Sequence, residues 1–337
     1  MGGEKRNDIV SCQRVRLPSI FEAEPRLGTG YMDSAIVTLG LTKRYGATAG
    51  ITDLNLHVRR GEVCGFLGPN GAGKTTTIRL LLGLLRPTHG TMEILGLAPQ
   101  GNRRSLLRRM GYLPGDIGLY RDLTGTEYLH HLLRLRTGRP SGEIRARLAE
   151  LQDRFELDFH RKIGTYSKGM RQSVGILQAF MHRPELVILD EPTSGLDPIM
   201  QERFYELLSE ERQRGTTVFL SSHILTEAAR VCDRVVMVKG GRLVRVDEVE
   251  AYKARLGKRI TIETRSSARA FRERIENLRG VSQMTEKENQ LQFFFNGDMQ
   301  TLIQGIGQID ITDFMCEPAA IEQVFMGFYG EQQGREH

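Results

Sequence analysis

Nine consecutive residues constrain this chain more than any others: Gly68-Pro69-Asn70-Gly71-Ala72-Gly73-Lys74-Thr75-Thr76. An apolar run, Val63-Cys-Gly-Phe-Leu67, precedes them, and a helical pattern, Thr75–Leu85, follows. Strand, glycine loop, Lys-Thr and helix in that order fit G-x-x-x-x-G-K-[ST] in full. The backbone N–H groups of such a loop point inward as an anion nest, and the helix behind it turns its positive end to the same spot. Gly71 and Gly73 let the backbone approach a ligand with no Cβ in the way. The Lys74 ammonium then reaches β- and γ-phosphate oxygens, and the Thr75 hydroxyl is placed to ligate Mg²⁺. Every residue from Gly68 to Thr76 is thus a candidate for holding a nucleotide.

A second element supports this. Leu186-Val-Ile-Leu reads as a central strand, and it ends in two adjacent acids, Asp190 and Glu191. Charges are rarely buried without a partner, so the pair needs one. Beside a phosphate loop, Asp190 joins the Mg²⁺ shell and Glu191 polarises an attacking water as general base.

The rest of the chain organises around these motifs. At 337 residues, about one domain per 100–200 residues gives two or three domains. Residues 1–31 show no sustained period of either kind, and read as a disordered extension or as an upstream translation of a protein that begins at Met32. Strands alternate with turns from 35 to about 100. Residues 101–182 read as a mostly helical, Arg-rich lobe. Strands return at Leu186–Asp190, Thr217–Ser221, Arg234–Val238 and Leu243–Val246, with helices Ile199–Gln213 and Leu225–Cys232 between them, as a largely parallel sheet requires. Residues 32–246 therefore form one α/β core with an inserted helical lobe. From 256 to 330 the order is βαββαβ plus a helix, which predicts a small α+β, ferredoxin-like domain.

No stretch longer than 12 residues, Gly215 to Thr226, lacks an Asp, Glu, Lys or Arg. A spanning helix needs roughly 20 predominantly apolar residues, which argues against a membrane crossing. The first residues, MGGEKRNDIV, carry no apolar segment of the kind a secretory signal needs. Cysteines at 12, 64, 232 and 316 have neither metal-ligand spacing nor disulfide density, and suit a reducing compartment.

In order and spacing, these parts resemble the nucleotide-binding subunits of ATP-binding-cassette (ABC) transporters, over roughly residues 36–246. Tyr166-Ser167-Lys168-Gly169-Met170-Arg171-Gln172 stands where that family has its signature segment (consensus LSGGQ). The resemblance implies a P-loop NTPase fold of ABC type, with a mixed sheet core and helical lobe, that hydrolyses ATP with Mg²⁺. It implies that Tyr45 stacks on adenine, and that Ser167 and Gly169 contact the γ-phosphate held by a second nucleotide-binding subunit. Ser194-Gly-Leu-Asp197 matches the D-loop that crosses the dimer interface, and His223 matches the switch histidine at the γ-phosphate. Catalysis then falls to Glu191, His223 and Lys74, and the metal to Thr75 and Asp190.

Three positions depart from the family pattern. The loop after Gly111-Tyr-Leu-Pro114 has Gly115 where the family has Gln, with Asp116 or a water as substitutes for its oxygen. Lys168 and Met170 differ from the signature consensus. The Tyr-x-Pro-Gly-acid loop resembles bacitracin-type exporter ATPases, as does the closing segment Pro318–Gly330.

A single phosphate loop supplies one side of the γ-phosphate, and closure by a second subunit excludes water. The implied function is the ATPase of a membrane exporter, peripheral on the cytoplasmic face, with a separate multi-spanning permease as partner. The alternative is a soluble ABC-type ATPase acting on ribosomes or DNA. Such translation factors carry two cassettes, against one phosphate loop here, and such repair ATPases need a long coiled coil that the 115 residues between Lys74 and Asp190 cannot hold. The net charge of +6 also has a location, because residues 101–165 hold 13 basic and 8 acidic side chains. Basic residues there suit an anionic leaflet. No stacking aromatics interleave with them, so nucleic acid is not expected.

Overall fold

The computed structural model describes residues 33–251, 257–265, 269–307 and 309–318. The segment before Met32 and the closing segment after Pro318 lie outside the described residues. The central sheet has six strands in the order β5-β6-β7-β3-β8-β9. These are β3 (Val63–Leu67), β5 (Met110–Leu113), β6 (Leu186–Asp190), β7 (Thr217–Ser222), β8 (Arg234–Lys239) and β9 (Arg242–Glu248). All pairs are parallel except β8 with β9. Every residue of β3, β6 and β7 is buried, as expected for parallel strands covered on both faces.

A second, antiparallel sheet orders β2 (Thr48–Arg59), β1 (Ser34–Tyr45) and β4 (His89–Ile94). Helix α1 (Lys74–Leu81) lends Ile78, Leu80 and Leu81 to an apolar core shared with strands of both sheets. Gly40 takes φ 59° at a bulge in β1, where the pairing with β2 shifts between Thr38 and Leu41. Glycine accepts that left-handed conformation without a Cβ penalty.

The helical lobe contains α3 (Gly125–Thr137), α4 (Gly142–Phe155) and α5 (Lys168–Phe180). Each starts at a side-chain cap: Thr124 with a Glu127 capping box, Ser141, and Ser167. Such caps satisfy backbone donors that the first helical turn leaves free. The stretch 101–182 is not uniformly helical. After α2 (Pro99–Arg109) the chain enters the sheet as β5 before returning to the lobe. Only four residues long, Met-Gly-Tyr-Leu is too short for an alternation signal to separate it from the helical pattern around it. Helices α6 (Pro198–Gln213) and α7 (Leu225–Val231) connect β6, β7 and β8, and share an apolar core with α3, α4 and α5.

The C-terminal strands are β10 (Lys258–Thr264), β11 (Val281–Lys287), β12 (Gln290–Phe295) and β13 (Ile311–Pro318), with α8 (Arg269–Glu276) and α9 (Met299–Ile306) between them. Their order, β11-β12-β10-β13, is antiparallel throughout. That is the connectivity of a split βαβ pair. Ile260, Ile262, Ile275, Leu291, Phe293, Phe295, Leu302 and Ile306 form its own core.

Candidate functional site

Parallel register assembles the site. Leu67 of β3 lies opposite Ser222 of β7, and Asp190 of β6 lies opposite Ser221. The phosphate loop, the two acids and the Ser222-His223 turn therefore leave the sheet at one edge. Ligands of open α/β sheets sit outside the carboxyl ends of the strands.

The loop is fixed by close backbone contacts. A Cβ on Gly68 would stand 2.4 Å from the Val238 carbonyl oxygen, and one on Gly73 would stand 2.6 Å from that of Gly50. The Gly73 φ of 99° excludes other residues again. Gly241 braces the loop from β8–β9: its N–H donates to the Ala72 carbonyl at 3.1 Å, and its carbonyl accepts from Thr52 at 2.7 Å. Ala72 also donates to the Pro69 carbonyl at 3.1 Å. Pro69, Asn70, Gly71 and Thr75 are exposed, and Thr76 is half-buried at the start of α1.

Lys74 is buried, with 7% of its side chain exposed. Its ammonium donates to the Gly68 carbonyl at 2.7 Å and lies 3.4 Å from Glu191 Oε1. His223 Nδ1 lies 2.8 Å from the other Glu191 oxygen. Glu191 has φ 50°, a left-handed value uncommon for a side chain of this size. Its N–H donates to the carbonyl and the hydroxyl of Ser221, at 3.2 and 3.3 Å. Asp190 accepts from Thr75 Oγ1 at 3.2 Å on one oxygen and from Ser221 Oγ at 2.5 Å on the other. Lys74, Thr75, Asp190, Glu191 and His223 thus form one connected group.

Mg²⁺ takes hard oxygen ligands and uses one or two carboxylates together with substrate phosphates. The adjoining Thr75 hydroxyl and Asp190 carboxylate fit that donor set. No group of three or more His, Cys, Asp or Glu that could form a dedicated cage exists among the described residues. Gly115 stands against this pair, since a Cβ on it would be 3.4 Å from Asp190 Oδ2. Asp116 is exposed and makes no hydrogen bond or ion pair among the described residues.

The Tyr45 ring, 47% exposed, flanks the start of α1. A Cβ on Gly50 would meet Tyr45 Cε2 at 2.9 Å and Thr76 Cγ2 at 3.2 Å. The Lys43 ammonium sits 5.6 Å from the Tyr45 ring centroid. Ser167 and Gly169 are not hydrogen-bonded to the Lys74 group. Ser167 Oγ accepts from the Met170 N–H at 3.1 Å, and Gly169 packs on the backbone of Gly195. Asp197 caps α6, accepting from the Met200 N–H at 2.9 Å.

Sequence reasoning gave no role to Gln172 or Ser221. Gln172 is buried and donates to the carbonyls of Glu191 and Pro192, at 3.2 and 2.8 Å. A polar side chain inside the apolar face of α5 was its only signal, as was a serine ending the apolar run of β7 for Ser221.

Residues 51–194 match the family model for the ABC transporter. The bacitracin transport ATP-binding protein BcrA of Bacillus licheniformis is 41% identical over 217 residues, covering 63% of this chain and 69% of that protein. A solved ATP-binding subunit of an ABC transporter superposes with TM-score 0.61 at 33% identity, covering 65% of this chain and 92% of the other. A dimeric ATP-binding cassette in a post-hydrolysis state bound to ADP and Pi gives TM-score 0.57 at 25% identity, covering 64% and 98%. With the phosphate loop, the acid pair and the fold in agreement, this chain belongs to the ATP-binding, ATP-hydrolysing subunits of ABC transporters.

Proposed function

We propose that the chain powers a membrane exporter by closing as a dimer on ATP and reopening after hydrolysis, with a separate multi-spanning permease as its load. The observation that carries this reading is the single hydrogen-bonded group of Lys74, Thr75, Asp190, Glu191 and His223 at the carboxyl edge of the sheet. The backbone N–H groups of the loop, Pro69 having none, cradle the phosphates at the positive end of α1. Lys74 holds β- and γ-phosphate oxygens, exchanging the Gly68 carbonyl for them. Thr75 and Asp190 hold Mg²⁺, which when bound neutralises charge on the phosphates. Glu191 orients the attacking water and accepts its proton at a carboxylate oxygen. His223 holds the other oxygen of that carboxylate and stands at the γ-phosphate. Tyr45 offers its exposed ring to the adenine. Ser167 and Gly169, at the positive end of α5, serve the nucleotide of a second subunit, and Asp197 lies in the D-loop between them.

The docking face for the permease is the groove between α2 and α3. It encloses about 550 Å³ and is lined by Arg103, Arg104, Arg108, Leu107, Leu132 and Leu135. Among the described residues no helix is long and apolar enough to cross a membrane. The name of a relative 36% identical over 220 residues, the Nod factor export ATP-binding protein I of Ralstonia nicotianae, supports the export direction.

Replacing Glu191 tests the mechanism. The Glu191→Gln chain binds ATP, loses steady-state hydrolysis by about 100-fold or more, and accumulates as an ATP-dependent dimer in size-exclusion chromatography. Continued turnover removes Glu191 as the base, and a monomer with ATP bound removes the dimer reading.

A further inference from the structure

The signature helix grips the turn that carries the base. Lys168 and Gln172 are four residues apart, hence on one face of α5 and one turn apart. Both reach the segment from Glu191 to Gly195. Gln172 holds the carbonyls of Glu191 and Pro192. Lys168 Nζ donates to Ser194 Oγ at 2.9 Å. The Ser194 N–H in turn donates to the Glu191 carbonyl at 3.2 Å.

Packing reinforces these bonds. A Cβ on Gly195 would meet Lys168 Cδ at 2.9 Å, so the lysine stem lies directly over that glycine. A Cβ on Gly169 would stand 2.6 Å from the Gly195 carbonyl, so the backbone of α5 itself rests on the turn. Lys168 is the first residue of α5, with no acid in the first turn. A cation is disfavoured at that end of a helix, and Lys168 has no ion pair among the described residues. Its contacts with Ser194 and Gly195 are what the side chain does here.

We propose that Lys168 is a positioning residue which, with Gln172, transmits the seating of α5 to the left-handed Glu191 and to the D-loop turn of the same chain. This rests on the dimer reading, in which α5 faces the partner's nucleotide while Glu191 serves its own. One chain then links two nucleotide sites through a single helical turn. Occupancy of one site sets the base of the other, and the two sites turn over cooperatively.

The test compares Lys168→Met, Lys168→Arg, Ser194→Ala and the Lys168→Met/Ser194→Ala double variant in the full-length chain. Nucleotide affinity, ATP-dependent dimerisation in the Glu191→Gln parent, and steady-state kcat, KM and Hill coefficient are measured. Lys168→Met and Ser194→Ala each lower kcat about fivefold, the scale of one hydrogen bond. Each also brings the Hill coefficient toward one and leaves ATP affinity unchanged. The double variant falls no further, because both changes break the same link, and Lys168→Arg regains most of the rate. Losses that multiply in the double variant overturn the proposal, since Lys168 then acts elsewhere, as on the partner's phosphate. An unchanged kcat and Hill coefficient in Lys168→Met also overturn it. Failure of the Glu191→Gln parent to dimerise removes the dimer reading, and this proposal with it; a dimerising parent with unaffected Lys168→Met removes this proposal alone.

Discussion

His182 follows α5, with its Nε2 between Arg136 Nη1 at 2.8 Å and the Met110 carbonyl at 3.1 Å. Its Nδ1 is buried without a hydrogen-bond partner among the described residues. Loss of hydration, then the Arg136 charge, push its pKa down to about 3, against the opposing pull of the Met110 carbonyl. Between 6.5 and about 3 the unfolded chain takes up a proton that the folded chain refuses. Stability is therefore unaffected by this group above its unfolded pKa and falls as pH drops below it. His182→Gln keeps an acceptor for Arg136 and removes the titration. Its urea midpoint should decline less than that of the wild type between pH 7 and pH 5, and equal slopes would show that His182 is not the sensitive group. At this scale the grouping of Lys74, Thr75, Asp190 and Glu191 was legible because the phosphate loop and the acid pair are each consecutive in the chain. The bonds of Gln172 to Glu191 and of Ser221 to Asp190 span 19 and 31 residues, and no local pattern encodes such partners.

Helices α4 and α6 are joined by ion pairs along their length. Arg203 meets Glu156, Arg154 meets Glu210, and Arg147 meets Glu211, each at 2.6 Å. The Arg147 and Glu211 side chains are 0% and 2% exposed. Glu211 also accepts from Thr216 Oγ1 at 2.9 Å and pairs with Arg214 at 2.8 Å. The lobe is thereby tied to the helix whose first turn follows the D-loop. Breaking a buried pair from one side leaves the remaining charge undercompensated, Glu211 here keeping only the more exposed Arg214, which is costlier than replacing both partners. Arg147→Met should destabilise the chain by about 3 kcal/mol. Arg147→Met with Glu211→Gln should recover part of that loss, since the amide still accepts from Thr216. Denaturant titration of the two variants reads this difference, and a double variant weaker than the single one would refute it. The apolar spacing within the lobe and over Ile199–Gln213 predicted both helices. Their contact was not legible, because an arginine-rich helical face reads as solvated until a partner is placed on it.

For the whole molecule, four of the thirteen basic residues in 101–165, Arg103, Arg104, Arg108 and Arg136, line the groove between α2 and α3, where Leu135 is 70% exposed. Apolar surface rimmed by charge marks an interaction site. Affinity purification from detergent-solubilised membranes should recover a multi-spanning protein with the wild type and much less of it with Leu135→Asp, while ATP hydrolysis by the isolated chain persists. Recovery of ribosomes or DNA by the wild type would refute the exporter reading. Strand β5, which the helical pattern concealed, brings Gly115 out of the sheet beside Asp190, so the groove and the nucleotide site adjoin a single short strand. The order of amino acids along the chain was enough to specify the phosphate loop and, β5 apart, the alternation of strands and helices in the core, since each depends on neighbours within a few residues. The meeting of Leu67, Asp190 and His223 at one edge, the clamp of α5 on Glu191 and the α4–α6 ion pairs required the fold. Side chains far apart in sequence acquire partners only when strand register and helix packing bring them within hydrogen-bond reach.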